Sequence, residues 1–101
     1  MNNNDKILNL LGLAQRARKL ITGEELVIKE IQKQKAKLVF IASDLGPSTM
    51  KKVTDKAKTY NVSYNDQFSH IELSSAIGQS RKVIAVMDAG FAKKLKELIK
   101  N

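Results

Sequence analysis

The chain has no cysteine and a single histidine. The first absence removes disulfides, thiol nucleophiles and cysteine-ligated zinc together, and it fits a reducing compartment. The second leaves His70 alone: one imidazole makes no zinc site, and no serine or aspartate is spaced to build a triad with it. No stretch approaches the roughly 20 apolar residues that span a bilayer. The opening string Met1-Asn2-Asn3-Asn4-Asp5 lacks the basic-then-apolar order of a secretory leader. A cytoplasmic protein without membrane contact is therefore expected. Gly12, Gly23, Gly46, Gly78 and Gly90 are scattered, matching neither the dinucleotide fingerprint nor the Walker spacing. No cofactor is expected.

Acidic side chains are the other scarcity. Ten Asp and Glu stand against eighteen Lys and Arg, a net charge of +8 in 101 residues. Such an excess favours a polyanionic partner, and nucleic acid is the commonest inside a cell. Solubility alone is the competing explanation. Hydrophobic residues make up 43% of the chain, enough to fold without a partner, and a single domain over residues 1–101 is expected.

What is present alternates between helical and strand patterns. Ile7, Leu8, Leu11, Ala14 and Ala17 recur at helical spacing over residues 5–17. The short apolar pair Leu20-Ile21 leads into Thr22-Gly23-Glu24-Glu25, which reads as a capping box opening a helix with Leu26, Ile28 and Ile31. Residues 38–42 form an unbroken apolar run of strand length, implying burial on both faces. Pro47 then suits a helix's first turn, and Met50, Val53, Ala57 and Tyr60 mark that helix. Val62-Ser63-Tyr64 is a short strand. Ser69-His70-Ile71-Glu72 is a second capping box, opening a helix with Leu73, Ala76 and Ile77 that Gly78 closes. A buried strand over residues 83–87 and a helix with Phe91, Leu95, Leu98 and Ile99 complete the chain. The order αβαβαβαβα predicts a three-layer α/β/α sandwich, about four strands in one sheet with helices on both faces.

Residues 37–46 and 82–90 echo one another: a basic residue, a buried strand, an aspartate, then glycine two later, then a helix. Asp44 and Asp88 thus stand at the carboxyl ends of the two buried strands, where open α/β sheets bind ligands and two carboxylates can hold Mg²⁺. Both also directly precede helices, where aspartate is a preferred cap, and capping is the expected role. Without a nucleophile, metal cluster or phosphate loop, no catalysis is expected.

The cations are the better lead. Arg16, Arg18 and Lys19 gather at the end of the first helix, Lys29 lies on the second, and Arg81 and Lys82 precede the last strand. If the Thr22-Gly23 turn lies near residues 67–70, these groups ring one edge of the sandwich and suit RNA phosphates. Cations at a helix C-terminus also complement its dipole without any partner. Phe68, in the polar loop after Asn65-Asp66-Gln67, can either stack on a base or plug the sandwich edge.

The string Leu10-Leu11-Gly12-Leu13-Ala14-Gln15-Arg16-Ala17-Arg18-Lys19-Leu20-Ile21-Thr22-Gly23-Glu24-Glu25, with Lys29 six residues after Gly23, resembles the YlxQ-like bacterial proteins. These belong to the superfamily of large-subunit ribosomal proteins that bind kink-turn RNA (the L-seven-Ae and L-thirty-e group). The likeness covers the chain from about Asp5 to Ile99. It implies an α/β/α sandwich that reads kink-turns without catalysis, with the start of the second helix entering the groove beside tandem sheared G·A pairs. Carried onto this sequence, Gly23 allows close backbone approach and Lys29 contacts RNA. The loop side of the pocket falls to Phe68, Ser69 and Leu73. The family's usual Asn-Glu pair, two and three residues after the glycine, is Glu25-Leu26 here.

The expected function is binding of structured RNA, ribosomal or another non-coding RNA, by a ribosome-associated monomer. The expected site comprises Arg16, Arg18, Lys19, Thr22, Gly23, Glu25, Leu26, Lys29, Phe68, Ser69, His70 and Leu73. The alternative is a protein-interaction or ribosome-assembly adaptor whose basic surface meets an acidic partner.

Overall fold

A computed structural model describes residues 2–100. The expected alternation holds: α1 (Asn3–Arg16), β1 (Leu20–Thr22), α2 (Glu24–Gln32), β2 (Leu38–Ile41), α3 (Pro47–Thr59), β3 (Tyr64–Asn65), α4 (His70–Ile77), β4 (Val83–Val86) and α5 (Ala89–Lys100). The four strands form one mixed sheet in the order β1-β4-β2-β3. The two unbroken apolar runs are its two central strands, and every residue of β2 and β4 is buried.

Alternation along these strands divides the core in two. Leu38 and Phe40 of β2 and Ile84 and Val86 of β4 pack with Ile7, Leu11, Phe68, Leu73 and Leu95, beneath α1, α4 and α5. Val39, Ile41, Val83 and Ala85 pack the opposite way, with Val27, Ile31 and Val53 of α2 and α3. The result is the predicted three-layer sandwich. On the first face α1 and α4 approach closely at Gly12, where a Cβ would meet the Ala76 carbonyl oxygen at 2.8 Å. Glycine is what lets those helices meet.

β4 runs antiparallel to both neighbours, whereas β2 and β3 are parallel. This reversal separates Asp44 from Asp88, because the carboxyl ends of β2 and β4 lie at opposite ends of the sheet. The two echoing aspartates therefore cannot share a metal, and each has a capping bond of its own. Asp88 Oδ2 accepts from the Phe91 amide at 2.9 Å in the first turn of α5, as expected. Asp44 does not cap the helix that follows it. Its Oδ1 accepts instead from the His70 amide, 2.9 Å away at the start of α4. The N-cap of α3 is Gly46, which offers no side chain.

The two capping boxes part company as well. At Ser69 both halves form: the Ser69 hydroxyl accepts from the Glu72 amide at 3.2 Å, and the Glu72 carboxylate accepts from the Ser69 amide at 3.0 Å. Gly78 closes α4 with φ 77°, a left-handed value that favours glycine. At Thr22 no box exists. Thr22 is still in β1, and the N-cap of α2 is Gly23 at φ 100°, with no side-chain hydrogen bond. Leu26, expected on the apolar face of this helix, points outward at 54% exposure, while Val27, Ile28 and Ile31 take the core.

Candidate nucleic-acid interface

Antiparallel β4 brings its own start beside the ends of β1 and β2. The Gly23 amide donates to the Val83 carbonyl at 2.9 Å, and the Ala42 amide donates to the Lys82 carbonyl at 2.8 Å. Residues 80–82 therefore lie between the openings of α2 and α3. The Ser43 amide donates to the Phe68 carbonyl at 2.8 Å, and Asp44 holds the His70 amide, so α4 opens here too. These elements enclose an open cleft of about 320 Å³ lined by Gly23, Glu24, Leu45, Thr49, His70, Ser80, Arg81, Lys82 and Val83. The expected proximity of the Gly23 turn to His70 is real.

Electrostatics in the cleft favour an anion. The first amides of a helix lack internal partners and carry the positive end of its dipole. Side chains occupy that position in α1, α4 and α5, through Asn2, Ser69 and Asp88. The N-caps of α2 and α3 are the glycines Gly23 and Gly46, and neither end has a side-chain cap. Such ends bind phosphate readily. Nothing stands within 4 Å above the Cα of either glycine, so an incoming group can reach the backbone.

Arg81 is fixed in place by three contacts. Its Nε donates to Thr22 Oγ1 at 3.0 Å and its Nη1 to the Ser80 carbonyl at 2.7 Å, while its amide donates to Ser74 Oγ at 3.1 Å. Thr22, predicted as a cap, is instead the acceptor that aims this guanidinium. His70 Nε2 lies 3.0 Å from Ser80 Oγ, tying the opening of α4 to the same loop. Lys82 is exposed beside them. Glu24 faces the cleft, but Lys52 Nζ of α3 lies 3.0 Å from its Oε2 and offsets the charge.

The structure gathers only part of the expected site. Gly23, Glu25, Leu26 and Lys29 lie along α2 from the cleft outward, and Glu25 and Lys29 are exposed. Arg18 and Lys19 lie at the other end of β1: the Lys19 carbonyl accepts from the Met87 amide, four positions along the chain from the Gly23–Val83 bond. At roughly 3.3 Å per residue that is about 13 Å. Arg16 lines a separate groove between α1 and α4 with Ile71 and Glu72. The ring of cations on one edge therefore does not form.

Phe68 and Leu73 are closed in the core, at 2% and 0% exposure, with the Phe68 ring 6.3 Å from that of Phe40. Of the two uses open to Phe68, the structure shows the plug. The loop that borders the cleft follows α4 rather than preceding it. The signal in the sequence is the Ser80-Arg81-Lys82 string, which sets two cations directly before a buried strand. Among the described residues, no group of three or more Asp, Glu or His is placed to hold a metal ion.

Relatives share this framework along nearly its whole length. A protein of Enterococcus faecium named RNA-binding protein YlxQ is 54% identical over 97 residues, covering 96% of this chain and 94% of its own. The Bacillus subtilis protein of the same name is 52% identical over 91 residues, covering 89% and 91%. A solved Bacillus halodurans structure, 46% identical, superposes with a TM-score of 0.91 over 95% of this chain and 98% of that one. A 15.5 kD RNA-binding protein of Giardia lamblia has the same fold, with a TM-score of 0.83 at 20% identity over 97% and 85% of the two chains. The profile described as ribosomal protein L7Ae/L30e/S12e/Gadd45 matches residues 5–96, and the chain belongs to that family.

Proposed function

We propose that this protein binds structured RNA, without catalysis, through the cleft between the openings of α2, α3 and α4. The observation that carries the reading is the uncapped opening of α2 at Gly23, which shares one cleft with Thr49 in the first turn of α3 and with Arg81 and Lys82. Free amides and neighbouring cations together recognise a phosphate backbone by shape, which is how folded RNA is read. The relatives named as RNA-binding proteins support the same ligand class.

Within that reading the RNA is a kink-turn, of the ribosome or another non-coding RNA, met in the cytoplasm. A kink-turn presents a sharply bent backbone next to splayed bases, matching a concave cleft beside a projecting helix end. Exposed Leu26, on the first turn of α2, offers an apolar surface to such a base where relatives of the superfamily offer a carboxylate. Lys29, about a turn further along, meets the flanking phosphates. Phe68 and Leu73 support the loop from inside and Thr22 aims Arg81, so these three act without touching RNA.

The test is a filter-binding titration with a kink-turn RNA and with the same RNA after its G·A pairs are converted to G·C. The kink-turn binds at least tenfold tighter, and Arg81→Gln with Lys82→Gln removes most of that affinity. Equal affinity for the two RNAs rejects kink-turn recognition. Affinity that ignores Arg81 and Lys82 rejects the cleft.

A further inference from the structure

A second basic surface lies along α5, away from the cleft. Lys93, Lys96 and Lys100 recur at three and four residues and share one side of the helix. At 1.5 Å per residue they make a stripe about 10 Å long. With Lys37, at the start of β2, they line a groove of about 410 Å³ whose floor includes Ala89 and Ala92. Among the described residues that line it, Glu97 is the only acid. Lys37 and Lys96 also border an adjoining hollow of about 530 Å³ that includes Gln34, Asn61 and Ser63.

Position separates this surface from the cleft. The Lys37 amide donates to the Val86 carbonyl at the end of β4, whereas the cleft adjoins its start at Val83. The groove and the cleft have no lining residue in common.

Among the described residues these lysines form no ion pair. Ion pairs among the described residues join Lys33 to Glu30, Lys51 to Asp55 and Lys52 to Glu24, and none involves Lys37, Lys93, Lys96 or Lys100. Four ammonium groups around one carboxylate repel one another, and an incoming polyanion relieves that repulsion. The small floor residues let a backbone settle between the lysines. Gln34 and Asn61 beside them can donate to sugar hydroxyls or phosphates. Tyr60 lines the adjoining hollow, but no aromatic ring lines the α5 groove itself, which suits a continuous phosphate backbone more than unpaired bases.

We propose that Lys37, Lys93, Lys96 and Lys100 bind the phosphate backbone of duplex RNA, independently of sequence. Resting on the reading of the protein as an RNA binder, this makes it bidentate: the cleft takes the bent segment and the α5 groove takes a helical arm. Lysine is suited to the second task because it acts as a point charge with no demand on base identity.

The experiment measures the full chain, wild type and with Lys37→Gln, Lys93→Gln, Lys96→Gln and Lys100→Gln together, against two probes. One is a kink-turn RNA with arms too short to reach the groove, and the other is a plain 20-base-pair RNA duplex. All four side chains are exposed, so the variant folds, which circular dichroism and melting verify. The expected result is a tenfold or greater loss for the duplex and less than a twofold change for the short kink-turn. The slope of log affinity against log salt on the duplex falls by about three, from the loss of up to four contacts at about 0.7–0.9 each. A matching set of Lys→Arg substitutions restores duplex binding. The inference is overturned if wild type does not bind the duplex, if the glutamine variant binds it equally well, or if arginine fails to restore it. Should the short kink-turn fail to bind while duplex binding still depends on the four lysines, the cleft reading falls and the α5 surface stands.

Discussion

Replacing Phe68 with alanine separates packing from base recognition. The side chain is 2% exposed and its ring lies 6.3 Å from Phe40 at 40°, a tilted aromatic pair. Truncating a buried phenylalanine costs about 3–5 kcal/mol, the void included. That is a large part of the roughly 5–15 kcal/mol that holds a domain of this size together. At about 4–8 °C per kcal/mol, a 4 kcal/mol loss lowers the melting temperature by about 15–30 °C. Urea unfolding at low temperature should show a smaller midpoint with an unchanged slope. The binding arm uses Phe68→Leu, which retains most of the volume and stays folded. A stacked base is worth about 1–3 kcal/mol, so a stacking Phe68 would lose about 5–150-fold in RNA affinity on that change. We expect less than twofold. A loss below about 1 kcal/mol in Phe68→Ala, or a tenfold affinity loss in a normally melting Phe68→Leu, would falsify the assignment of this ring to the core.

Three further perturbations follow from particular contacts. Gly12→Ala gains about 1 kcal/mol of helix propensity, but its Cβ meets the Ala76 carbonyl at 2.8 Å, and forcing α1 from α4 costs about 2–3 kcal/mol. A lower melting temperature is expected, and an unchanged or raised one shows that the helices slide apart freely. Asp44→Ala removes the acceptor for the His70 amide and loses about 1 kcal/mol, while Asp44→Asn retains most of the bond. Equal losses in the two variants, read by chemical denaturation, contradict the cap. Glu24→Gln removes the carboxylate that binds Lys52 at 3.0 Å and leaves a free cation by the cleft. RNA affinity rises severalfold at low salt and the gain vanishes at high salt, with stability altered by less than about 0.5 kcal/mol. A weaker-binding Glu24→Gln protein shows that the acid contacts RNA directly.

Much of the architecture is legible in the residues because burial is periodic. The unbroken runs at residues 38–42 and 83–87 can only be covered strands, and Ser69 with Glu72 announces a helix start correctly. The same cue misleads at Thr22. A threonine three residues before a glutamate looks like a cap whether or not the chain is still in a strand, and it is the pairing with β4 that keeps Thr22 extended. Asp44 was legible as a cap but not as a cap for a helix 26 positions on. Sequence proximity to Gly23 suggests that Arg18 and Lys19 share its edge, whereas β1 carries the chain away from them and sets them at its other end. Strand direction is a property of long-range pairing, and no local pattern carries it. The cleft itself required it: residues 80–82 reach Gly23 only because β4 runs against β1.

That inserted strand also dictates when the protein can exist. β1 has a single neighbour, β4, which is made more than sixty positions later. As the chain leaves the ribosome, α1, β1 and α2 wait beside an open slot, and β2 has only the two-residue β3 at its side. Pairing over so long a loop is slow and entropically costly, so the sheet closes late, after nearly all the chain has been synthesised. The Arg81–Thr22 contact forms in the same event that fills the slot. A nascent chain, or one truncated before β4, thus has neither the complete sheet nor the cleft, and competence to bind arrives with the pairing of β4 rather than by degrees.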